Sequence, residues 1–377
     1  MRIRDLERRF VYHSPWYPGF TSWCGLWLMP DRAVMCSFTQ ATGPLAGRPQ
    51  APAEVRVRLD WPPPGADGRV REEYDMTGLD LENVHLRSDD GGRTWARTGS
   101  DHFRTCMNGA TGEAEEALRD GSLLRGVWGP YLPYDGGPDT GYMERSGDGG
   151  STWSAPIAIC PDPGAAFWPK RIRRLADGRL LTGGGLIQRT PGADHRTAWS
   201  ARTAPVLFTS ADEGASWAGP IHLLPAAGHP GLELTEEFDW AELEDGDLLC
   251  MIRAAAGNHR AQVVLRRAGK GWEPGGLAAT RLPHSGHPEL LRLADGAVLH
   301  IATTGISVTG DRGATWEDLS LGDGYEALRR SPGVPYYPRS ALLPDGHVLV
   351  VGHVGGDDGY GCADQSIVGL RFGLESD

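Results

Sequence analysis

Lysine is all but missing from this chain: Lys170 and Lys270 are the two lysines among 37 basic residues. So skewed a ratio reads as a bias of genomic composition. A basic excess is missing as well. Acidic residues outnumber basic ones 49 to 37, for a formal charge of −12. Gripping phosphate backbones needs the opposite balance, which excludes nucleic acid as a partner. An anionic sugar stays open, because a few arginines dominate the field of a small pocket. No stretch reaches the roughly 20 apolar residues that span a bilayer, so no membrane partner is expected. The opening MRIRDLERRF lacks the apolar core of a secretory signal. Cysteine is sparse, with six at positions 24, 36, 106, 160, 250 and 362 and none in a Cys-x-x-Cys pair. Cys24, Cys36 and Cys250 lie in apolar, strand-like runs. They read as buried reduced thiols of a cytoplasmic protein, and neither a metal nor a cofactor is expected.

What the chain has instead is punctuation. Its 53 glycines and 28 prolines are spread along the sequence, which suits many short strands joined by tight turns. Four segments read alike: Ser88-Asp-Asp-Gly-Gly-Arg-Thr-Trp95, Ser146-Gly-Asp-Gly-Gly-Ser-Thr-Trp153, Ser210-Ala-Asp-Glu-Gly-Ala-Ser-Trp217 and Thr309-Gly-Asp-Arg-Gly-Ala-Thr-Trp316. The shared pattern is that of a hairpin turn. Its Asp accepts hydrogen bonds from turn amides, Gly supplies positive φ, and Trp packs on neighbouring strands. Arg267-Ala-Gly-Lys-Gly-Trp272 is a worn fifth copy.

A second repeat interleaves with the first. Asp-Gly turns close at Gly121, Gly178, Gly246, Gly296 and Gly346, each after a leucine three residues earlier; Met29-Pro-Asp-Arg32 is a sixth, with Arg in place of Gly. Each precedes a β-rich run such as Leu248-Leu-Cys-Met-Ile252. The Asp-Gly turns then join the first two strands of four-stranded units, and the octapeptides join the last two. Six units at roughly fifty-residue spacing predict an all-β, six-bladed β-propeller in a single domain over 1–377.

The innermost strand of each blade lines the central channel, so residues ahead of the Asp-Gly turns converge on one cavity. Nine residues before the turn position stand Trp23, Gly112, Pro169, Glu237, His287 and Tyr337; seven before it stand Gly25, Ala114, Arg171, Asp239, Glu289 and Arg339. A channel without a site calls for small or apolar residues. The last four blades instead supply Arg171, Glu237, Asp239, His287, Glu289, Tyr337 and Arg339.

The octapeptides resemble the Asp-boxes of sialidases, and the site residues extend that resemblance. Glu237-Phe-Asp-Trp-Ala-Glu-Leu-Glu-Asp-Gly246, with Arg253 ending the next strand, is similar to the sialidase segment that bears the nucleophile's partner carboxylate and a substrate-binding arginine. Tyr337-Pro-Arg-Ser-Ala-Leu-Leu-Pro-Asp-Gly346 resembles the segment bearing the nucleophile. Thr77-Gly-Leu-Asp80 resembles the loop of the acid/base Asp. The resemblance implies a sialidase-like exo-glycosidase that retains configuration while hydrolysing a terminal, acidic sugar. Tyr337 would be the nucleophile, Glu237 its proton acceptor and Asp80 the acid. A phenol of pKa near 10 needs such a neighbour to attack at neutral pH. Arg253, Arg171, Arg339, His287, Glu289, Asp239 and Trp23 are the expected substrate contacts, with Trp16, Trp27 and Trp168 as further stacking faces.

Two departures stand out. The stretch Phe20–Pro30 lacks the Arg-Ile-Pro that marks sialidases, and His300–Val308 lacks their third arginine. Either Arg171 and Arg339 restore the carboxylate clamp from other blades or the substrate is not sialic acid, and the second reading is favoured. His287 reads first as a channel-wall histidine hydrogen-bonded to a neighbour; with His353 and the loop Gly355–Tyr360 it is the alternative candidate for proton abstraction or metal binding, although no His/Cys spacing here resembles a zinc site. A polysaccharide lyase acting on uronates and a non-catalytic glycan-binding propeller are therefore the competing classes.

Overall fold

The computed structural model describes residues 1–59, 61–62, 64, 68–107, 109–111, 114–188, 203–224, 234–254, 260–282, 286–302, 305–319 and 336–375. Gly112, His284, Cys362 and the loop Gly355–Tyr360 lie outside them. The described residues form six four-stranded antiparallel sheets arranged as the blades of a propeller. The chain opens with β1 (Arg2–His13). Blade I holds β2 (Pro18–Leu28), β3 (Val34–Thr42), β4 (Asp80–Ser88) and β5 (Ala96–Phe103). Blade II holds β6 (Glu115–Ala117), β7 (Leu123–Val127), β8 (Tyr142–Ser146) and β9 (Ile157–Ala158). Blade III holds β10 (Ala165–Arg174), β11 (Leu180–Gln188), β12 (Thr203–Ser210) and β13 (Ala218–His222). Blade IV holds β14 (Leu234–Glu242), β15 (Leu248–Ala254), β16 (Arg260–Ala268) and β17 (Gly271–Ala279). Blade V holds β18 (Glu289–Arg292), β19 (Val298–Ala302), β20 (Gly305–Thr309) and β21 (Glu317–Asp318). Blade VI joins β22 (Tyr336–Leu342), β23 (Val348–His353) and β24 (Ser366–Glu375) to β1, which is its outermost strand. That seam, running from Arg2 opposite Glu375 to His13 opposite Ser366, closes the ring.

Both turn repeats fall where the sequence puts them. In blade II the amide of Leu118 donates to the Ser122 carbonyl at 2.8 Å and that of Gly121 to the Leu118 carbonyl at 3.0 Å. Blades III to VI repeat these two bonds. The turn glycines all have φ between +80° and +89°. Arg32 takes the same left-handed conformation in blade I, at φ +72°, a strained choice for a residue with a Cβ. In the octapeptides one carboxylate organises the turn. Asp90 Oδ1 accepts the Ser88 hydroxyl and the amides of Arg93 and Thr94, and Oδ2 accepts the Thr94 hydroxyl at 2.6 Å. Asp148, Asp212 and Asp311 repeat the two hydroxyl contacts and the contact to the amide four residues on.

Blades cohere through apolar surfaces facing each other across the blade gaps. Cys24, Val34, Phe38 and Val84 of blade I pack on Leu343, Leu349, Val351 and Ile367 of blade VI. Phe238 and Trp240 of blade IV pack on Leu181 and Leu207 of blade III. Each such side chain contributes about 1.5–3 kcal/mol on burial. Five cysteines (24, 36, 106, 160 and 250) are buried and reduced. No helix among the described residues is long and apolar enough to cross a membrane.

Four of the six innermost strands share one irregularity that bears on the site. Their ladders slip between Ser22 and Gly25, Pro169 and Arg171, Leu234 and Phe238, and Tyr336 and Arg339. These bulges bracket Trp23, Lys170, Glu237 and Tyr337. A bulge bends a strand and re-aims a side chain, and bulges concentrate beside active sites. Trp23 (φ +46°) and Tyr337 (φ +49°) are left-handed at the two corresponding positions. For bulky residues that conformation persists only where the surroundings enforce it.

Candidate active site

Tyr337 and Glu237, 100 residues apart in the chain, meet across the channel. The Tyr337 hydroxyl donates to Glu237 Oε1 at 3.3 Å. Arg253, from the end of β15, spans both: its Nη1 donates to Glu237 Oε2 at 2.5 Å and to the Tyr337 oxygen at 3.1 Å. Burial presses Glu237 towards protonation, but the charge of Arg253, then of Lys170, outweighs it and holds the carboxyl below its ordinary value. Glu237 is therefore an ionised acceptor at neutral pH. Two imidazoles flank the phenol, with the ring centres of His287 and His353 each 6.4 Å from that of Tyr337. Burial keeps both neutral, pushing His353 down to about 4 and His287 well below its ordinary value. The Pro288 carbonyl lies 2.8 Å from His287 Nδ1 and assigns the proton to that nitrogen.

Beneath this centre lies a buried ionic floor. Glu289 Oε1 accepts the Ser340 amide at 2.7 Å and hydroxyl at 2.6 Å, while Oε2 accepts Arg171 and Arg339. Asp239 Oδ2 accepts Arg173 at 2.8 Å, Arg171 at 3.3 Å and the Leu290 amide at 2.7 Å. Both carboxylates are fully covered.

Solved structures with this architecture include an uncharacterised protein of Dyadobacter fermentans, 18% identical over 99% of both chains with a TM-score of 0.63. The GH93 α-L-arabinofuranosidase of Fusarium graminearum, solved with arabinobiose, is 11% identical over 98% of this chain and 97% of its own, with a TM-score of 0.62. A Hadza microbial sialidase is 17% identical over 93% of this chain and 65% of its own, with a TM-score of 0.54. The fold is that of a sialidase-like six-bladed propeller. No protein-family model and no curated protein matches the sequence.

Within the sialidase-like propeller the expected site residues divide. Tyr337, Glu237 and Arg253 come together, with His287 alongside. Asp239, Glu289, Arg171 and Arg339, expected as substrate contacts, are instead committed to one another in the floor. Turning any of them to a sugar would leave a buried partner charge uncompensated. Asp80 is not brought to the pair. It opens β4, the third strand from the axis, and its 61%-exposed carboxylate turns to His102 on β5, at 2.8 Å. Two strand spacings, roughly 10 Å, separate β4 from the channel strand of its own blade. Trp27 and Trp168 are buried and offer no stacking face, whereas Trp23 is half-buried, 4.7 Å from the ring of Trp128.

Two cations escaped the sequence reading. Lys170 lies over the Trp128 ring, 4.4 Å from its centre, and 3.7 Å from Glu236 Oε1. Arg260 stands opposite Arg253 in the β15–β16 ladder and donates to the Gly286 carbonyl, and burial lowers it to about 10. Lys170 is legible in retrospect as the single polar residue between Pro169 and Arg171 on a channel strand. Arg260 carries no motif. Among the described residues no cluster of three His, Cys, Asp or Glu side chains has the makings of a metal site.

Proposed function

We propose that this propeller is an exo-glycosidase acting on a terminal, acidic sugar, with Tyr337 as nucleophile and Glu237 as the base that takes its proton. The observation that carries the reading is the Tyr337–Glu237 contact of 3.3 Å with Arg253 bridging the two. In the proposed first step the phenol oxygen attacks the anomeric carbon, its proton passes to Glu237, and the bond to the leaving oxygen breaks. Arg253 stabilises charge developing on the phenol oxygen. Water then displaces the tyrosyl group with retention. Arg253, Arg260 and Lys170 against Glu236 and Glu237 make three cations to two carboxylates, a balance that favours an anionic substrate. The three-arginine clamp of sialidases is not reproduced, which speaks for a sugar other than sialic acid.

Protonation of the leaving oxygen has two candidates. Glu236 shares the bulge with Glu237, and Asp80 stands on the third strand of blade I. The buried, reduced thiols fit a cytoplasmic setting. Against His287 as the base of a lyase, burial pushes its pKa well below the ordinary value and so makes it a weak proton acceptor. The deciding experiment is a panel of chromogenic glycosides and glycuronides, sialosides included. Tyr337→Phe should abolish turnover that wild type shows, and full turnover in that variant would refute the mechanism. An unsaturated product absorbing in the ultraviolet would establish the lyase instead.

A further inference from the structure

Trp16 and Tyr17 are 61% and 71% exposed, and among the described residues they are the exposed tryptophan and the exposed tyrosine. Their display is built rather than loose. The Trp16 amide donates to the Ser14 hydroxyl at 3.2 Å, and the Gly43 amide donates to the Tyr17 carbonyl at 3.0 Å. Gly19, at φ +67°, packs so tightly that a Cβ there would come within 2.4 Å of Ser14 Oγ and of the Trp16 carbonyl oxygen. The turn thus holds two aromatic residues on the surface at little cost in conformational freedom.

Its position links it to the channel. Residues 14–17 run from β1, the outer strand of blade VI, to β2, the inner strand of blade I. Connections of the same kind, outer strand to next inner strand, lead into Glu237 and Tyr337, so the turn lies on the face where those residues stand. Six residues along β2 comes Trp23, the counterpart of Tyr337, and Trp128 follows it. At about 3.3 Å per residue, Tyr17 stands roughly 20 Å or less along the strand from the level of Trp23.

An exo-acting pocket holds the terminal sugar, so the rest of a longer substrate must leave across this face. Sugar rings present apolar C–H faces that stack on indole and phenol, while a tyrosine hydroxyl serves their polar edges. We infer that Trp16 and Tyr17 form a distal binding platform for the leaving-group side of an oligo- or polysaccharide, continuous with Trp23 at the channel. The inference rests on the glycosidase reading for its direction, but its test does not.

The test compares wild type, Trp16→Ala/Tyr17→Ala and Trp16→Phe by affinity electrophoresis in gels containing linear arabinan, polygalacturonate or polysialic acid. Melting temperatures confirm that the exposed substitutions leave folding intact. Wild type should be retarded by at least one polymer. The double variant should bind it about tenfold more weakly and Trp16→Phe nearly as wild type does. On the matching oligosaccharides the double variant should raise KM by a factor that grows with chain length. Retardation that depends on Trp16 and Tyr17 without any hydrolysis keeps the platform and removes the glycosidase. Hydrolysis with retardation indifferent to the double substitution removes the platform alone. Loss of a wild-type dimer in the double variant, seen by sedimentation, would also overturn it in favour of self-association.

Discussion

Replacing Arg253 by Met tests the core of the proposed centre. The substitution keeps most of the side-chain length but deletes the cation that leads the forces holding Glu237 ionised. Burial then acts against Lys170 and Arg260 alone, and the Glu237 pKa rises. Wild-type Glu237 is depressed, so its contribution to stability is complete above the ordinary value of 4.5 and is lost as pH falls through the lower native value. Once burial raises the native pKa above that value, the sign reverses. The native state keeps a proton the unfolded chain has released, and stability falls as pH rises from 4.5 towards neutrality. Breaking a fully buried ion pair costs about 3–5 kcal/mol, and an exposed pair is worth about 0.2–1 kcal/mol. With Arg253 35% and Glu237 14% exposed, solvent screening puts this one between them, at about 1–3 kcal/mol near neutral pH. Thermal unfolding at several pH values should show a deficit that widens from acid to neutral. The acid limb of the pH–rate profile on whichever glycoside wild type cleaves should move upward. A deficit equal at all pH values, with that limb unmoved, would refute the electrostatic account.

Glu237→Gln should lower kcat by about 10²–10⁴ with little change in KM, the loss typical of a missing general base, and a steady-state assay on the same glycoside checks it. Glu236→Gln and Asp80→Asn should separate the acid candidates: the true acid's variant loses activity on alkyl glycosides but keeps it on activated aryl ones. Glu289→Gln strips the floor of its shared anion and should destabilise by about 3–5 kcal/mol, read by urea unfolding. Asp90→Ala removes the acceptor of a solvent-facing turn and should cost about 1 kcal/mol in the same assay while sparing activity.

What was legible in the sequence is what local chemistry decides. An Asp-Gly turn and a carboxylate-centred octapeptide specify themselves within a few residues, so blade count and strand connections could be read directly. Arg32 shows how far that goes: its turn keeps the shared hydrogen bonds without the glycine. The convergence of Tyr337 on Glu237 followed from aligning the turns. Which carboxylate each arginine would choose did not follow, because Arg171 reaches Glu289 and Asp239 from other blades, and sequence carries no record of cross-blade partners. Asp80 illustrates a related limit. Its register on β4 is local, but the distance from β4 to the channel belongs to the assembled sheet.

Tyr337 belongs to the sheet closed by β1 and β24, whose Arg2 and Glu375 pair although 373 positions apart. β1 therefore cannot take its place in the sheet until β24 has been made. A chain stopped before β24 carries Tyr337 on an unfinished sheet. The setting of Tyr337 is thereby made to depend on a pairing between strands far apart in the chain.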